Sequence, residues 1–127
     1  MKVYLSGGMR SGWQDKVIAE CPGVEFIDPR DHGLHSSMEY TPWDLLAVRR
    51  CDIMFAYLEK DNPPGLGLAL EVGYAAGLKK TIIFVNEKIG QRYTEIIDWT
   101  ADLSYGTLEL GIEYLKSFAK MESWLSR

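Results

Sequence analysis

Cysteine is scarce in this chain: Cys21 and Cys51 are the only two among 127 residues. They lie far apart with no CxxC spacing, which excludes a recognisable zinc or dithiol redox motif and leaves two reduced, semi-buried thiols as the expectation. Long apolar runs are missing too, since none approaches the roughly 20 residues needed to span a bilayer. The opening Met1–Gly8 stretch is too short an apolar segment for a signal peptide, so the expectation is a cytoplasmic protein without a membrane partner. Positive charge is outnumbered, with 14 Lys and Arg against 18 Asp and Glu for a net charge of −4. Binding along a nucleic-acid backbone calls for a basic stripe, and none is visible. A small-molecule substrate fits better. Low-complexity segments and internal repeats are also lacking.

What the chain does have is apolar material. Its hydrophobic fraction of 46% and aromatic fraction of 12% suffice for a proper core. Its length fits one compact domain spanning residues 1–127.

Strand-like and helix-like segments alternate. Lys2 to Ser6 is β-rich and meets Gly7-Gly8, then Ser11-Gly12, before a helical stretch from Trp13 to Glu20 that Cys21-Pro22-Gly23 stops. Val24 to Ile27 reads as a second strand. Asp28 to Tyr40 is polar, carries both histidines, and reads as a loop. Thr41-Pro42-Trp43-Asp44 has the pattern of a helix start, with Thr at the N-cap, Pro at the first position and an acid at the third. That helix is expected to reach Arg50. Asp52 to Leu58 is a third strand, Lys60 to Gly65 a turn-rich loop, Leu66 to Leu78 a helix, and Thr81 to Val85 a fourth, fully apolar strand. A helix over Tyr93 to Thr100 and a short fifth strand near Leu103 follow. The last helix, Thr107 to Leu125, carries Leu108, Ile112, Leu115, Ala119 and Trp124 on one stripe. Strands apolar on both faces and alternating with helices predict an α/β fold with a parallel sheet covered on each side. For five strands the expectation is the flavodoxin-like, doubly wound order 2-1-3-4-5.

In such a sheet the ligand crevice lies beyond the carboxyl ends of the strands where the winding reverses, between strands one and three. The loops leaving those strands, Gly7–Gly12 and Glu59–Gly65, are the richest in glycine and proline, and the loop after strand two delivers Thr41–Asp44 to the same rim. Glu71 stands out here. It is the only charged residue from Gly65 to Leu78, and a helix apolar all round is normally buried. A carboxylate there loses hydration, which raises its pKa and marks it as a functional candidate; the plain alternative pairs it with an arginine such as Arg49. Asp44 is the second candidate, against an ordinary capping role. Gly7, Gly8, Arg10 and Ser11 can seat an anion at the helix start. Tyr40, Trp43 and Trp99 offer stacking faces. His32 and His35, with Asp28 and Asp31 nearby, match no ligand spacing, and no metal is expected.

These blocks resemble a known family. The stretch from Asp44-Leu45-Leu46 through Asp52-Ile53-Met54 is similar to the nucleoside 2-deoxyribosyltransferases, as are the opening Tyr4-Leu5-Ser6-Gly7-Gly8 and the block Gly67-x-Ala69-x-Glu71-x-Gly73-Tyr74-Ala75. The likeness covers the first two-thirds of the chain. It implies that Glu71 is the nucleophile, that Asp44 is the aspartate of the preceding helix, and that Tyr4 approaches nucleophile and sugar. It also implies substrate contacts from Ser6, Gly7, Gly8, Arg10, Ser11, Asp61, Asn62, Gly65 and Gly67. The family's chemistry is attack of the carboxylate on C1′ of a 2′-deoxynucleoside, departure of the base, and transfer of the sugar from the enzyme ester to another base or water with net retention. No metal or organic cofactor is required. The family places an acid shortly before the glutamate; here Gly65 holds that position, and the nearest acid is Asp61 beside Asn62. A sister group, the 2′-deoxynucleoside 5′-monophosphate N-hydrolases, has a strand-one loop similar to Gly7-Gly8-Met9-Arg10-Ser11-Gly12, which there helps to hold the 5′-phosphate. Members usually form dimers or larger homo-oligomers in which a neighbour closes the pocket, and Arg92–Tyr105 and the last helix are the expected contacts. Two readings from other classes stand beside the enzyme: a non-catalytic nucleotide-binding module, motivated by Gly65, and a structural partner protein that uses the apolar Leu66–Leu78 helix as its interface.

Overall fold

Runs of β-branched and aromatic residues pair side by side into a five-stranded parallel sheet of order β2-β1-β3-β4-β5. The computed structural model describes residues 1–62, 65–88 and 90–126. Its strands are β1 (Lys2–Gly7), β2 (Glu25–Ile27), β3 (Ile53–Leu58), β4 (Thr81–Asn86) and β5 (Leu103–Tyr105), and its helices are α1 (Trp13–Glu20), α2 (Ser37–Arg50), α3 (Leu66–Gly77), α4 (Glu95–Thr100) and α5 (Leu108–Leu125). Short 3-10 turns at Pro29–His32 and Arg92–Thr94 complete the path. This is the doubly wound, flavodoxin-like arrangement expected from the sequence. Of the loop read between Lys60 and Gly65, Pro63 and Pro64 lie outside the described residues. Among the described residues no helix is long and apolar enough to cross a membrane.

The period of two along each strand divides the core into two layers. Val3, Leu5, Ile53, Phe55, Tyr57, Ile83 and Val85 face α1 and α5, meeting Trp13, Val17, Leu108, Ile112 and Leu115. Tyr4, Met54, Ala56, Leu58, Ile82 and Phe84 face the other way and meet Ala47 and Val48 of α2, Leu68, Val72 and Ala75 of α3, and Ile97 of α4. The register pairs Tyr4 with Met54 and Ser6 with Ala56. Tyr4 and Ser6, two residues apart, therefore share the face that looks toward α3.

Four expectations change. Helix α2 begins at Ser37, with the Ser36 hydroxyl accepting from the Met38 amide, so Thr41 and Pro42 lie inside it and the Thr41–Asp44 segment is no cap. Pro42 forfeits the hydrogen bond to the carbonyl of Met38 in the first turn of the helix, where Met38 itself is 84% exposed. Helix α3 is not buried all round: Leu68, Val72 and Ala75 face the sheet, while Leu66 and Leu70 are 87% and 57% exposed. The apolar stripe of α5 stops early, because Ala119 is half-buried and Trp124 is exposed. The segment read as one helix from Tyr93 starts as the Arg92–Thr94 turn and becomes α4 at Glu95. Both cysteines are free and buried.

Candidate active site

Glu71 sits on the sheet-facing side of α3, above the carboxyl end of β1. The Tyr4 hydroxyl donates to its Oε1 at 2.8 Å, and the Ser6 hydroxyl donates to the same oxygen at 3.0 Å. Oε2 takes no hydrogen bond from the described residues. None of the ion pairs among the described residues involves Glu71. The arginine considered as its partner, Arg49, instead donates to the Tyr74 hydroxyl at 3.2 Å. Burial pushes the Glu71 carboxyl up to about 7; the Tyr4 hydroxyl opposes that shift, the Asp44 carboxylate adds to it, and Ser6 opposes it again. Tyr4 itself is driven well above the usual phenol range, by burial first and then by the charge of Glu71. Tyr4 therefore stays a neutral donor at every working pH.

Asp44 lies in the body of α2, so its position answers no capping need. Its carboxyl is shifted up by burial, with His32 and the Tyr4 hydroxyl pulling the other way. Its Oδ1 is buried without a hydrogen-bond partner among the described residues. The nearest cationic candidate is His32, whose Nε2 is 3.8 Å from Oδ1, within ion-pair reach but too long for a hydrogen bond.

These groups line one cavity of about 470 Å³ at the carboxyl rim of the sheet. Ten of the residues singled out from the sequence line it: Tyr4, Ser6, Gly7, Gly8, Arg10, Asp44, Asn62, Gly65, Gly67 and Glu71. Two do not. Ser11 instead accepts from the Trp13 amide at the start of α1, and Asp61 is exposed outside the lining. Of the proposed stacking residues, Tyr40 lines the cavity. Trp43 stands behind it, edge-on to His32 with ring centroids 4.7 Å apart, and Trp99 is 84% exposed on α4. The residues considered for a metal separate: Asp28 and Arg30 pair with each other, and among the described residues no group of three metal-ligating side chains assembles.

The β1 loop is shaped by its glycines. A Cβ on Gly7 would lie 2.5 Å from the Tyr57 carbonyl oxygen, and one on Gly8 would lie 2.1 Å from Asn62 Nδ2. At Gly7 the obstacle is backbone, so only a bare residue lets β1 approach β3 this closely, whereas at Gly8 it is the amide end of Asn62. The Gly8 carbonyl accepts from Trp13 Nε1 at 2.8 Å and from Gln14 Nε2 at 3.0 Å. In a trans peptide this turns the following amide, that of Met9, away from those donors. Trp13 and Gln14 were not visible as site residues in the sequence, because their role depends on one carbonyl direction. Arg10 lies at the rim, exposed and in no ion pair among the described residues.

Among the described residues the arrangement offers a half-buried carboxylate with one free oxygen, a second carboxyl across the cavity, and a glycine-rich loop carrying an unpaired cation. Solved structures with this fold include a 2-desoxiribosyltransferase from Leishmania mexicana, 17% identical with a TM-score of 0.66, covering 91% of this chain and 97% of that one. A conserved protein from Enterococcus faecalis V583 is 14% identical with a TM-score of 0.70 and coverages of 92% and 98%. The Clostridium botulinum CMP N-glycosidase BcmB is 19% identical with a TM-score of 0.64 and coverages of 93% and 99%. No curated protein matches the sequence. Residues 1–89, which carry every side chain of the cavity described above, match the family described as "Nucleoside 2-deoxyribosyltransferase like", and the chain belongs to that family.

Proposed function

We propose that this protein cleaves the N-glycosidic bond of 2′-deoxynucleosides through a deoxyribosyl ester on Glu71 and passes the sugar to another base. The observation that carries the reading is Glu71 itself, a cavity-lining carboxylate steadied through Oε1 by two hydroxyls and, among the described residues, with no cation paired to it and no donor to Oε2. A structural carboxylate in that position would be paired. Attack of Oε2 on C1′ displaces the base, and the second base then takes the sugar from the opposite side of the ester, so configuration is retained. Tyr4 and Ser6 keep the carboxylate aimed, and Asp44 faces the departing base. No metal or organic cofactor enters this scheme.

A second reading, hydrolysis of 2′-deoxynucleoside 5′-monophosphates, is favoured by the β1 loop, where Arg10 stands beside Gly7 and Gly8 in no ion pair among the described residues. The deciding assay incubates each 2′-deoxynucleoside and its 5′-monophosphate with and without a second free base, followed by chromatography. Base exchange supports transfer, and release of base with free sugar supports hydrolysis. Saturable binding without turnover on any substrate would replace both with a nucleotide-binding module. For the loop, Arg10→Ala is expected to lower kcat/KM on monophosphates by about 10–100-fold, as loss of one charge-assisted contact of 1.5–3 kcal/mol implies, while leaving nucleosides unaffected. Equal effects on both substrates would remove the phosphate from this loop.

The reading extends to a second copy of the chain. On α3, which packs between α2 and α4, the exposed positions Leu66, Leu70, Gly73 and Gly77 follow the 4-3-4 spacing of a helix–helix seam. Ile96 and Trp99 of α4 are exposed beside it. Exposed Glu39 and Glu95 lie at the amino ends of these helices, and exposed Arg49, Arg50 and Lys79 at their carboxyl ends. Antiparallel pairing about a two-fold axis sets acid against base, so the face is self-complementary. Light scattering is expected to give a dimer, and Leu70→Glu a monomer; a monomeric parent protein would sink this part.

A further inference from the structure

We infer that His32 is a positioning residue for Asp44, its Nδ1 closed by a backbone donor so that the Nε2–H supports the carboxyl facing the departing base. The inference rests on the glycosidic reading above.

The local sequence builds the tautomer. Asp28 caps the Pro29–His32 turn by accepting from the Arg30 amide. Gly33 follows at φ 64°, a left-handed conformation that glycine adopts without strain. That turn sends the Leu34 amide back to donate to His32 Nδ1 at 2.8 Å. Nδ1 is thereby an acceptor, and the ring proton sits on Nε2. The ring plane is held from two sides, by Tyr40 stacked at 6.2 Å and 6° and by Trp43 edge-on at 4.7 Å and 74°. Nε2 points toward Asp44 Oδ1, 3.8 Å away, and the two side chains are only 8% and 14% exposed. Oδ1 is the buried oxygen with no other partner. A buried acceptor left unsatisfied is costly, and the donor aimed at it is this N–H. His32, Tyr40 and Asp44 line the same cavity as Glu71.

The chemistry gives the contact its purpose. As Glu71 forms its bond to C1′, the C1′–N electrons pass to the base, and the Asp44 carboxyl gives its proton to that base. One negative charge thus moves from Glu71 to Asp44. In the second half Asp44 takes a proton from the incoming base or water while Glu71 leaves as carboxylate. The N–H of His32 stabilises Asp44 in its charged state, and because Nδ1 is closed by an amide, His32 does so without exchanging a proton itself. The groups facing Asp44 are His32 from the 3-10 turn, Tyr4 from β1 and, across the cavity, Glu71 from α3.

The test uses substrate pairs that differ in how basic the departing base is: 5-fluoro- against unsubstituted 2′-deoxyuridine, and N7-methyl- against unsubstituted 2′-deoxyguanosine, each with and without a 5′-phosphate. His32→Leu is expected to lower kcat on the unsubstituted members by about 10–100-fold, the usual scale for a supporting partner, with KM little changed and the activated members slowed far less. Its alkaline limb in the pH–rate profile moves to higher pH, because the Asp44 carboxylate has lost a donor. His32→Gln, which keeps an N–H near the same place, recovers most of the rate. Equal losses on both members of a pair, or no loss on either, would overturn the role. A parent protein that releases no base from any of these substrates would overturn the glycosidic reading and this inference with it.

Discussion

Glu71→Gln is expected to abolish base release and, at the same time, to make the protein more stable above neutral pH. The amide cannot attack C1′, so turnover falls on the order of 10³–10⁶-fold, as when the nucleophile of a covalent mechanism is lost. Its oxygen still accepts from Tyr4 and Ser6, which both bond the same carboxylate oxygen, so the fold around it persists. The stability change follows from the raised pKa. Burial holds the Glu71 carboxyl at about 7 against an ordinary value of 4.5, so the folded state binds this proton more tightly than the unfolded chain does. Stability therefore falls as pH rises from about 4.5 to about 7, and then levels off. At 1.36 kcal/mol per pKa unit, the charged group costs the wild type roughly 3 kcal/mol above neutrality. Glutamine carries no such cost. Urea unfolding of both proteins from pH 4.5 to pH 8 is expected to give curves that converge at the acid end and separate as pH rises, with the variant more stable. Parallel curves would place Glu71 in contact with solvent. The same titration governs the acid limb of activity: kcat/KM rises with pH as Glu71 ionises at about 7, and falls again where the Asp44 carboxyl loses the proton it gives to the base.

This pairing of lost activity with gained stability explains why Glu71 was legible in a bare sequence. One charge within an apolar helix breaks the local pattern, and a break of that kind is where function is sought. The sheet order was legible for a related reason, since runs such as Ile53–Leu58 and Thr81–Val85 have no polar face and need cover on both sides. The start of α2 was not. Thr41-Pro42-Trp43-Asp44 satisfies the local rules for a cap, and Ser36 satisfies them as well. The earlier start prevails even with a proline in the helix, because it carries Tyr40 and Trp43 round to hold His32. The partnership of His32 with Asp44 was hidden for the same reason, because reading the loop as irregular left the ring without a direction. Nor did the sequence indicate which side of α3 is covered, because Leu66 and Leu68 are alike as residues while one is exposed and the other buried.

Gly111→Val is expected to cost about 3 kcal/mol or more. Helix α5 crosses the sheet with its backbone against β4. A Cβ at Gly111 would lie 2.4 Å from Val85 Cγ2 and 3.2 Å from Phe55 Cζ. Both neighbours are fully buried within the layer formed with α1 and α5, so neither has room to yield, and overpacking a filled core costs 1–3 kcal/mol or more. Even Gly111→Ala is expected to destabilise, although alanine is about 1 kcal/mol better than glycine within a helix. Gly73 on α3 supplies the contrast, since a Cβ there meets nothing within 4 Å. Gly73→Ala is therefore expected to raise the stability of the isolated chain by about 0.5–1 kcal/mol. Thermal unfolding of the two alanine variants should move in opposite directions, and the first should leave the cavity's chemistry intact because α5 lies on the far face of the sheet. Gly73 also lies on the seam assigned to a second copy. If α3 pairs there with its own twin, the added methyl that helps the single chain hinders the close approach of the two helices. Gly73→Ala would then raise the stability of the monomer while weakening the dimer, and light scattering across a dilution series would separate the two effects.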